Sequence, residues 1–435
     1  MGVKKSDVLV VGGGVAACVA ADAVLSEGKS VTMIFPNGGN SEVSGGAVDI
    51  MGVVPGENPR ICESYKEGIE ALLEKYPGHV YGKCKDELEN GIDALVSLAE
   101  AGGYPFVGHE GKNVWVPNML GTFTVNAYVP KTMEDSVMTP GKKEKVLVVG
   151  VKGNVAFNAG AAAMSYKQYQ KKIGGAADYY STEIELEGWG DRRKISDGEL
   201  ADYVDTAAGK DELIKAVKTF CMNNRYKFDK ILFPPALGYI HYLSVIAEIK
   251  EACGCAVGEV QTLGNSVVGY RFTRALYRGL EKKGAQLLRG AKVDSINVDE
   301  AQAEAECTVG LTDQLHPGEK ECLSAPAMIL ATGGFVGGGI KARKTEVWIE
   351  LLDKNLGTVP AEKLDRNAVS GAGQDFIRLG VEVNDDMSVA DEKYKGRLFA
   401  CGNVLAGHNF ASERSSVGIA AASGYLAGKK AASKK

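Results

Sequence analysis

The sequence predicts an α/β fold: a Rossmann-like nucleotide-binding domain, split in sequence, with an α/β cap domain inserted into it. Three observations carry this expectation. Residues 7–35 read as an apolar strand, a triple-glycine turn, a small-residue helix and a second strand. Two further apolar runs that end in glycine follow much later, at 327–334 and 398–402. Between them and the opening unit, residues 56–250 carry their own helices and strands.

In the opening unit each glycine has its own task. Gly12 makes the tight turn, Gly14 lets backbone approach a diphosphate, and Ala17 stands where a small residue permits close helix–strand packing. The N–H groups that start a helix at 15–26 face the phosphates with the positive end of the helix dipole behind them. Gly12, Gly13, Gly14, Val15 and Ala16 are therefore candidate cofactor-binding residues. Gly28 ends the helix, and Val31–Ile34 reads as the next parallel strand. The end of that strand usually carries Asp or Glu for the adenosine ribose, and here Phe35 and Pro36 follow. Either the cofactor lacks adenosine, or backbone groups hold its ribose.

Composition narrows the class. A chain of 435 residues exceeds what one hydrophobic core usually fills, which predicts two domains. The 55 glycines exceed the usual share of ~7% and suit backbone lying close to a large ligand. A net charge of −5 gives no electrostatic reason to expect nucleic acid. No apolar run approaches the ~20 residues of a membrane span. MGVKKSDVLVVGGG enters the first strand at once and leaves no room for a signal peptide, so the expected location is cytoplasmic. Nine scattered cysteines argue against a disulfide framework, and their spacing suits neither an iron–sulfur cluster nor zinc. Cys253 and Cys255 form the one close pair in sequence and read as ordinary thiols at a helix end. No metal is expected, and electron chemistry would rest on an organic cofactor.

The remaining elements follow in order. Residues 37–49 are too glycine-rich for a packed helix and follow a strand at the carboxyl edge of the sheet, where ligands bind in such folds. Two amphipathic helices follow, one through Tyr65, Ile69, Leu72, Leu73 and Tyr76, the other through Leu88, Ile92, Leu95 and Ala99, ending at Gly102-Gly103. Val146–Gly150 is a buried-strand run before a helix at about 154–172, taken as cap packing because Gly150-Val151-Lys152-Gly153 is not the spaced fingerprint. A helix bearing Leu213, Val217 and Phe220 leads to a strand at 230–233, which Pro234-Pro235 stops. The pattern of the first domain returns with a helix at 266–283, strands near 291–297 and 304–312, a turn at His316-Pro317-Gly318 and the strand 327–330. The last strand, from Leu398, breaks at glycine before a loop and a helix at 416–431. Lys429, Lys430, Lys434 and Lys435 read as a solvated helix end. The expected domains are 1–55 with 251–435, and 56–250 as the insertion.

GGG at 12–14, ATGG at 331–334 and LFACGNV at 398–404 resemble, in that order, the family of succinate dehydrogenase and fumarate reductase flavin subunits and related oxidoreductases. More specifically, SGGAVDIMG at 44–52, PNMLGTF at 117–123, EKVLVVGVKGNVAFNA at 144–159, ILFPPALG at 231–238, TLGNSVVGYRFTRALYRGL at 262–280 and MILATGGFVGGGI at 328–340 are similar to the B subunits of anaerobic glycerol-3-phosphate dehydrogenases. The resemblance implies a non-covalent flavin, FMN favoured and FAD possible, with the last motif wrapping the ring. It implies oxidation of glycerol 3-phosphate to dihydroxyacetone phosphate. The implied partners are a catalytic flavoprotein subunit and an iron–sulfur membrane-docking subunit that passes electrons to quinone, which would hold the chain at the inner face of the cell membrane. The loop 406–416 departs from the family by lacking a Gly-Gly-Phe-Asp-Pro pattern.

Further cofactor-binding candidates are Ser44, Gly45 and Gly46 in the glycine-rich loop, Ala331, Thr332 and Gly333 at the strand end, and Gly402 and Asn403 after the last strand. Ser415 and Ser416 are good N-cap residues for the final helix, and Ser416 with Val417 is the expected donor set for the flavin N1/O2 edge. His408 is the candidate proton acceptor for a substrate hydroxyl and Arg414 the candidate anion anchor, the catalytic pair of this reading. Both also fit a plain loop or a partner contact. Arg271, Arg274 and Arg278 share a helical face that suits a solvated or interface row, or a phosphate clamp. Asp49 fits a flavin contact or a turn, and His241 a structural role. Two functions stay open: a substrate-oxidising flavoprotein, and an electron-relay subunit that never meets the substrate.

Overall fold

The structure, a computed structural model, describes residues 5–56, 58–189, 194–224, 227–262, 264, 266–299, 304–311, 320–360, 364 and 374–434. The turn at 316–318 and Lys435 lie outside the described residues. The chain divides into two compact units, one of residues 1–41, 49–103 and 273–435, the other of 42–48 and 104–272.

The first unit is built on a five-stranded sheet in the order Gln286–Arg289, Val31–Phe35, Val8–Val11, Ala327–Leu330, Leu398–Ala400, with every neighbouring pair parallel. Val8 pairs with Val31 on one side and Ala327 on the other. The interior strands are near-continuous apolar runs because parallel sheets are covered on both faces, and Val8–Val11 and Ala327–Leu330 are buried throughout. Three carboxyl ends therefore lie side by side, each running into a glycine-containing turn.

Helix Val15–Ser26 packs against the C-terminal helix Ser416–Ala432 through small residues. A Cβ on Gly424 would stand 2.7 Å from the Ala16 carbonyl oxygen, so the two backbones meet where no side chain fits. The C-terminal helix also meets Leu88–Ala101, with Gly91 against the Ala421 carbonyl.

Residues 56–103, expected in the insertion, belong to this first unit. The apolar faces of helices Tyr65–Lys75 and Leu88–Ala101 were legible, but the surface they cover lies on the unit holding the glycine fingerprint. The boundaries accordingly fall at 103/104 and 272/273 rather than at 55 and 250, the former after helix Leu88–Ala101 and the latter inside helix Val267–Lys282.

The second unit has its own parallel sheet, in the order Asp178–Ile184, Lys145–Val151, Lys230–Phe233, Ala256–Glu259. Alternation along one strand feeds two cores. Leu147, Val149 and Val151 join Leu213, Val217, Ile246 and Ile249 on one face, while Val146 and Val148 join Ala162 and Tyr166 on the other. Val146–Gly150 is thus part of one of the two interior strands of a sheet, followed by helix Ala159–Tyr169 and a parallel partner. Strands 178–184, 256–259 and 286–289 gave no clear sequence signal, being polar, glycine-containing or very short. Cys253 ends helix Tyr242–Cys253 and shares a hydrogen bond with Cys221 of helix Ala207–Asn223.

Candidate functional site

The site of the first unit begins at the end of strand Val8–Val11. Gly12 has φ +139°, and a Cβ there would collide with the Ala331 carbonyl of the neighbouring strand end. Only glycine meets both demands. A Cβ on Gly13 would stand 2.5 Å from the Asn37 carbonyl, whereas the Gly14 position is open but for Ser41 Oγ at 3.4 Å. The Val15 amide donates to Ser41 Oγ at 3.1 Å. The other first-turn amides of the helix have no partner within it, which is the ordinary basis of an anion site at a helix start.

The carboxyl ends of the two neighbouring strands meet this turn. A Cβ on Gly402 (φ +76°) would lie 2.6 Å from the Ala16 Cβ, and the Cys401 thiol points at the Ala16 carbonyl. The structure thus brings Gly12, Gly13, Gly14, Val15, Ala16, Ala331 and Gly402 together. Thr332 Oγ1 and Asn403 Oδ1 are buried atoms without a hydrogen-bond partner among the described residues, although Asn403 Nδ2 donates to Ser416 Oγ at 2.9 Å. Buried orphan acceptors ask for a ligand. The open glycine cradle and these two atoms fit a flavin nucleotide: the helix start would hold its phosphate, and Thr332 and Asn403 would offer it polar partners.

The start of the C-terminal helix differs from expectation. The amides of Ser416 and Val417 donate to the Asp49 carboxylate at 3.3 and 2.9 Å, and the Gly418 amide to the Asp49 carbonyl at 2.8 Å. The expected flavin-edge donors are therefore committed to a carboxylate. Ser415, the N-cap by position, makes no side-chain cap and instead donates to Glu413 Oε2 at 3.1 Å. Asp49 holds the helix end from far away in sequence because its carbonyl and carboxylate together satisfy three orphan amides. Burial pushes its carboxyl above the usual range, against the pull of the Val417 and Ser416 amides and of Arg414.

His408 is 1% exposed, and neither ring nitrogen has a hydrogen-bond partner of good geometry. Burial pushes its pKa down to about 4, opposed by Glu413, so the ring is neutral. Arg414 is exposed, with a left-handed φ of 53° rare outside glycine. Its carbonyl accepts from Gly52, and a Cβ on Gly52 would lie 2.8 Å from Arg414 Cβ, so the 49–52 segment clamps this loop. The residues that sequence reasoning missed are His79 and Glu413. His79 Nε2 lies 3.2 Å from Glu413 Oε2, both side chains being fully buried. Glu413 sits within the loop 406–416 as an acid shortly before a helix start, a weak signal.

Other candidates separate. Ser44, Gly45 and Gly46 fold with the second unit, where the Gly46 amide donates to Ser44 Oγ and its carbonyl accepts the Tyr104 hydroxyl. The arginine row is divided. Arg271 is buried in a bidentate pair with Glu259 at 2.6 and 3.0 Å and donates to the Gly238 carbonyl, which leaves no capacity for a phosphate. Arg274 and Arg278 are exposed. His241 precedes helix Tyr242–Cys253, its amide held by Asp205. Phe35, in place of the ribose acid, is buried and packs on Tyr277 with ring centroids 4.9 Å apart. The Tyr277 hydroxyl donates to the Gly13 carbonyl at 2.7 Å, which braces the glycine turn from below.

A parallel sheet whose adjacent carboxyl ends close on a glycine cradle defines a nucleotide-cofactor protein of the dinucleotide-binding α/β class. More particularly, the chain belongs to the FAD binding domain family, whose profile matches residues 7–419, and it is a flavin-dependent oxidoreductase. It is 26% identical to a Halobacterium salinarum protein named as the probable B subunit of an anaerobic glycerol-3-phosphate dehydrogenase, over 98% of each chain. It is 23% identical to the B subunit of the anaerobic glycerol-3-phosphate dehydrogenase of Vibrio cholerae, over 97% of this chain and 95% of that one. Among solved structures, the 3-ketosteroid Δ1-dehydrogenase of Sterolibacterium denitrificans superposes with a TM-score of 0.46 at 12% identity, covering all of both chains. Among the described residues no helix is long and apolar enough to cross a membrane.

Proposed function

We propose that the chain is the flavoprotein B subunit of an anaerobic, quinone-linked glycerol-3-phosphate dehydrogenase, oxidising glycerol 3-phosphate to dihydroxyacetone phosphate. End-to-end similarity to proteins of that name supports the assignment, and the observation that carries the chemistry is the neutral, buried His408 with both nitrogens uncommitted. Bound flavin supplies acceptance of a hydride from the carbinol carbon. His408 takes the hydroxyl proton, and the exposed Arg414 guanidinium anchors the substrate phosphate. The amides of Gly13, Gly14 and Ala16 would hold the flavin phosphate, with Thr332 and Asn403 toward its polar edge. FMN is the favoured form, because the Phe35–Tyr277 pair replaces the carboxylate that would bind an adenosine ribose. The partners are a catalytic flavoprotein subunit and an iron–sulfur subunit that docks the assembly to the inner face of the cell membrane.

Anaerobic mixing of the flavin-loaded protein with glycerol 3-phosphate tests the reading, since the flavin band at ~450 nm should bleach. A second reading, an electron relay that never meets substrate, is favoured by the sealing of His408 and by the Asp49 carboxylate at the helix start. Bleaching only after addition of the catalytic partner would establish the relay and overturn the first reading.

A further inference from the structure

We infer that Glu413 is a positioning residue for His408: with His79 it fixes the loop that carries the imidazole and supplies the buried negative charge facing it, while Arg378 supplies the opposing cation. The inference deepens the proposed function and rests on the reading of His408 as proton acceptor.

The hydrogen bonds define each charge. The Tyr81 amide donates to His79 Nδ1 at 3.1 Å, so that nitrogen carries a lone pair and the proton is on Nε2. Nε2–H then donates to Glu413 Oε2 at 3.2 Å, and His79 is neutral. Glu413 collects three more donors: Ser415 Oγ at 3.1 Å on Oε2, and the Asn409 amide at 2.9 Å and Arg378 Nη1 at 3.2 Å on Oε1. Four donors keep it ionised. Burial works to raise its pKa, but the His79 hydrogen bond first and the Asn409 amide with it hold it down at about 2. The Asn409 bond matters for position, since residue 409 follows His408 directly and is thereby tied to the carboxylate.

The His408 ring meets the His79 ring edge-on with centroids 6.3 Å apart. The charged and titratable groups facing it are Glu413, His79 and Arg378, with the Ala406 backbone as a further weak acceptor. At rest this group sums to zero, with Glu413 and Arg378 cancelling. A proton arriving at His408 makes the site cationic, and Glu413 is the group that favours it. Arg378, on a half-buried side chain over the Tyr76 ring, opposes it. Removing one charge or the other must therefore move His408 in opposite directions.

The experiment titrates histidine side chains by NMR in the flavin-loaded protein, with His408→Gln to assign the signal among five histidines. Arg378→Gln, a change at a partly exposed side chain, should raise the His408 midpoint, by less than Glu413→Gln lowers it. Glu413→Gln should lower it, and the acid limb of glycerol 3-phosphate-driven flavin bleaching should move with the same signs. If Glu413→Gln does not fold, the upward shift in Arg378→Gln carries the test alone. A folded Arg378→Gln protein whose His408 midpoint is unmoved or falls would overturn the inference, even with bleaching intact. Shifts of the stated signs without bleaching in the parent protein would instead overturn the proposed function and leave the positioning role of Glu413 supported.

Discussion

The carboxylate of Asp49 accepts the Val417 amide at 2.9 Å, and with the bonds from the 416 and 418 amides it caps the start of the C-terminal helix from far away in sequence. Asp49→Ala should therefore cost about 1–2 kcal/mol, the usual range for a lost cap, whereas Asp49→Asn retains an acceptor and should cost less. Chemical denaturation of the two variants at neutral pH checks the order.

Acid stability follows from His408 and Glu413. Both have folded-state pKa values depressed from their ordinary ones, to about 4 and about 2. A depressed group stabilises the fold above its unfolded pKa, and that stability is lost as pH falls toward the folded value. For His408 the window runs from about 6.5 to about 4, and for Glu413 from about 4.5 to about 2. Each is worth a few kcal/mol at ~1.4 kcal/mol per pH unit. Stability measured at pH ~7, ~5.5 and ~4.5 should therefore fall, and His408→Gln should flatten the upper part of that fall. An unchanged slope in the variant would contradict the assignment.

The Arg271–Glu259 pair lies buried in the second unit. Both side chains are fully buried, and the guanidinium also lies 4.3 Å from the Tyr242 ring centre. Glu259→Gln leaves a buried cation without its counter-charge and should cost about 3–5 kcal/mol. A double replacement by apolar residues of similar volume should recover much of that loss, because it removes both desolvated charges. Thermal unfolding of the single and double variants distinguishes the two.

Tyr277→Phe tests the brace beneath the glycine turn. The Phe35 stack survives, but the Gly13 carbonyl keeps only the weak Cys18 thiol as donor, at a cost of about 1–3 kcal/mol. Flavin retention through gel filtration should fall with it. Mass analysis of the released cofactor, expected to be FMN, belongs to the same experiment.

Much of the first unit was legible because local backbone demands write themselves into the chain. Gly12 must adopt a positive φ against a neighbouring carbonyl, and Val8–Val11 must be apolar on both faces. Two signals misled. The 56–103 helices announce an apolar face but not which surface it covers, and Arg271, Arg274 and Arg278 share a helical face that burial then divides. Ser415 shows the same limit at a cap: its position was right, but its hydroxyl serves Glu413 and the amides of the helix went to Asp49.

By itself, then, the sequence determined the opening strand, the glycine turn and the helix that follows it, since these depend on spacing over a few residues. Tertiary structure alone decided how buried charge is met: Glu413 by Arg378 and the His79 N–H, Asp49 by the 416 and 417 amides, Arg271 by Glu259. A charge removed from water needs a partner at hydrogen-bond distance, and only the folded chain determines which residue, near or hundreds of positions away, arrives there.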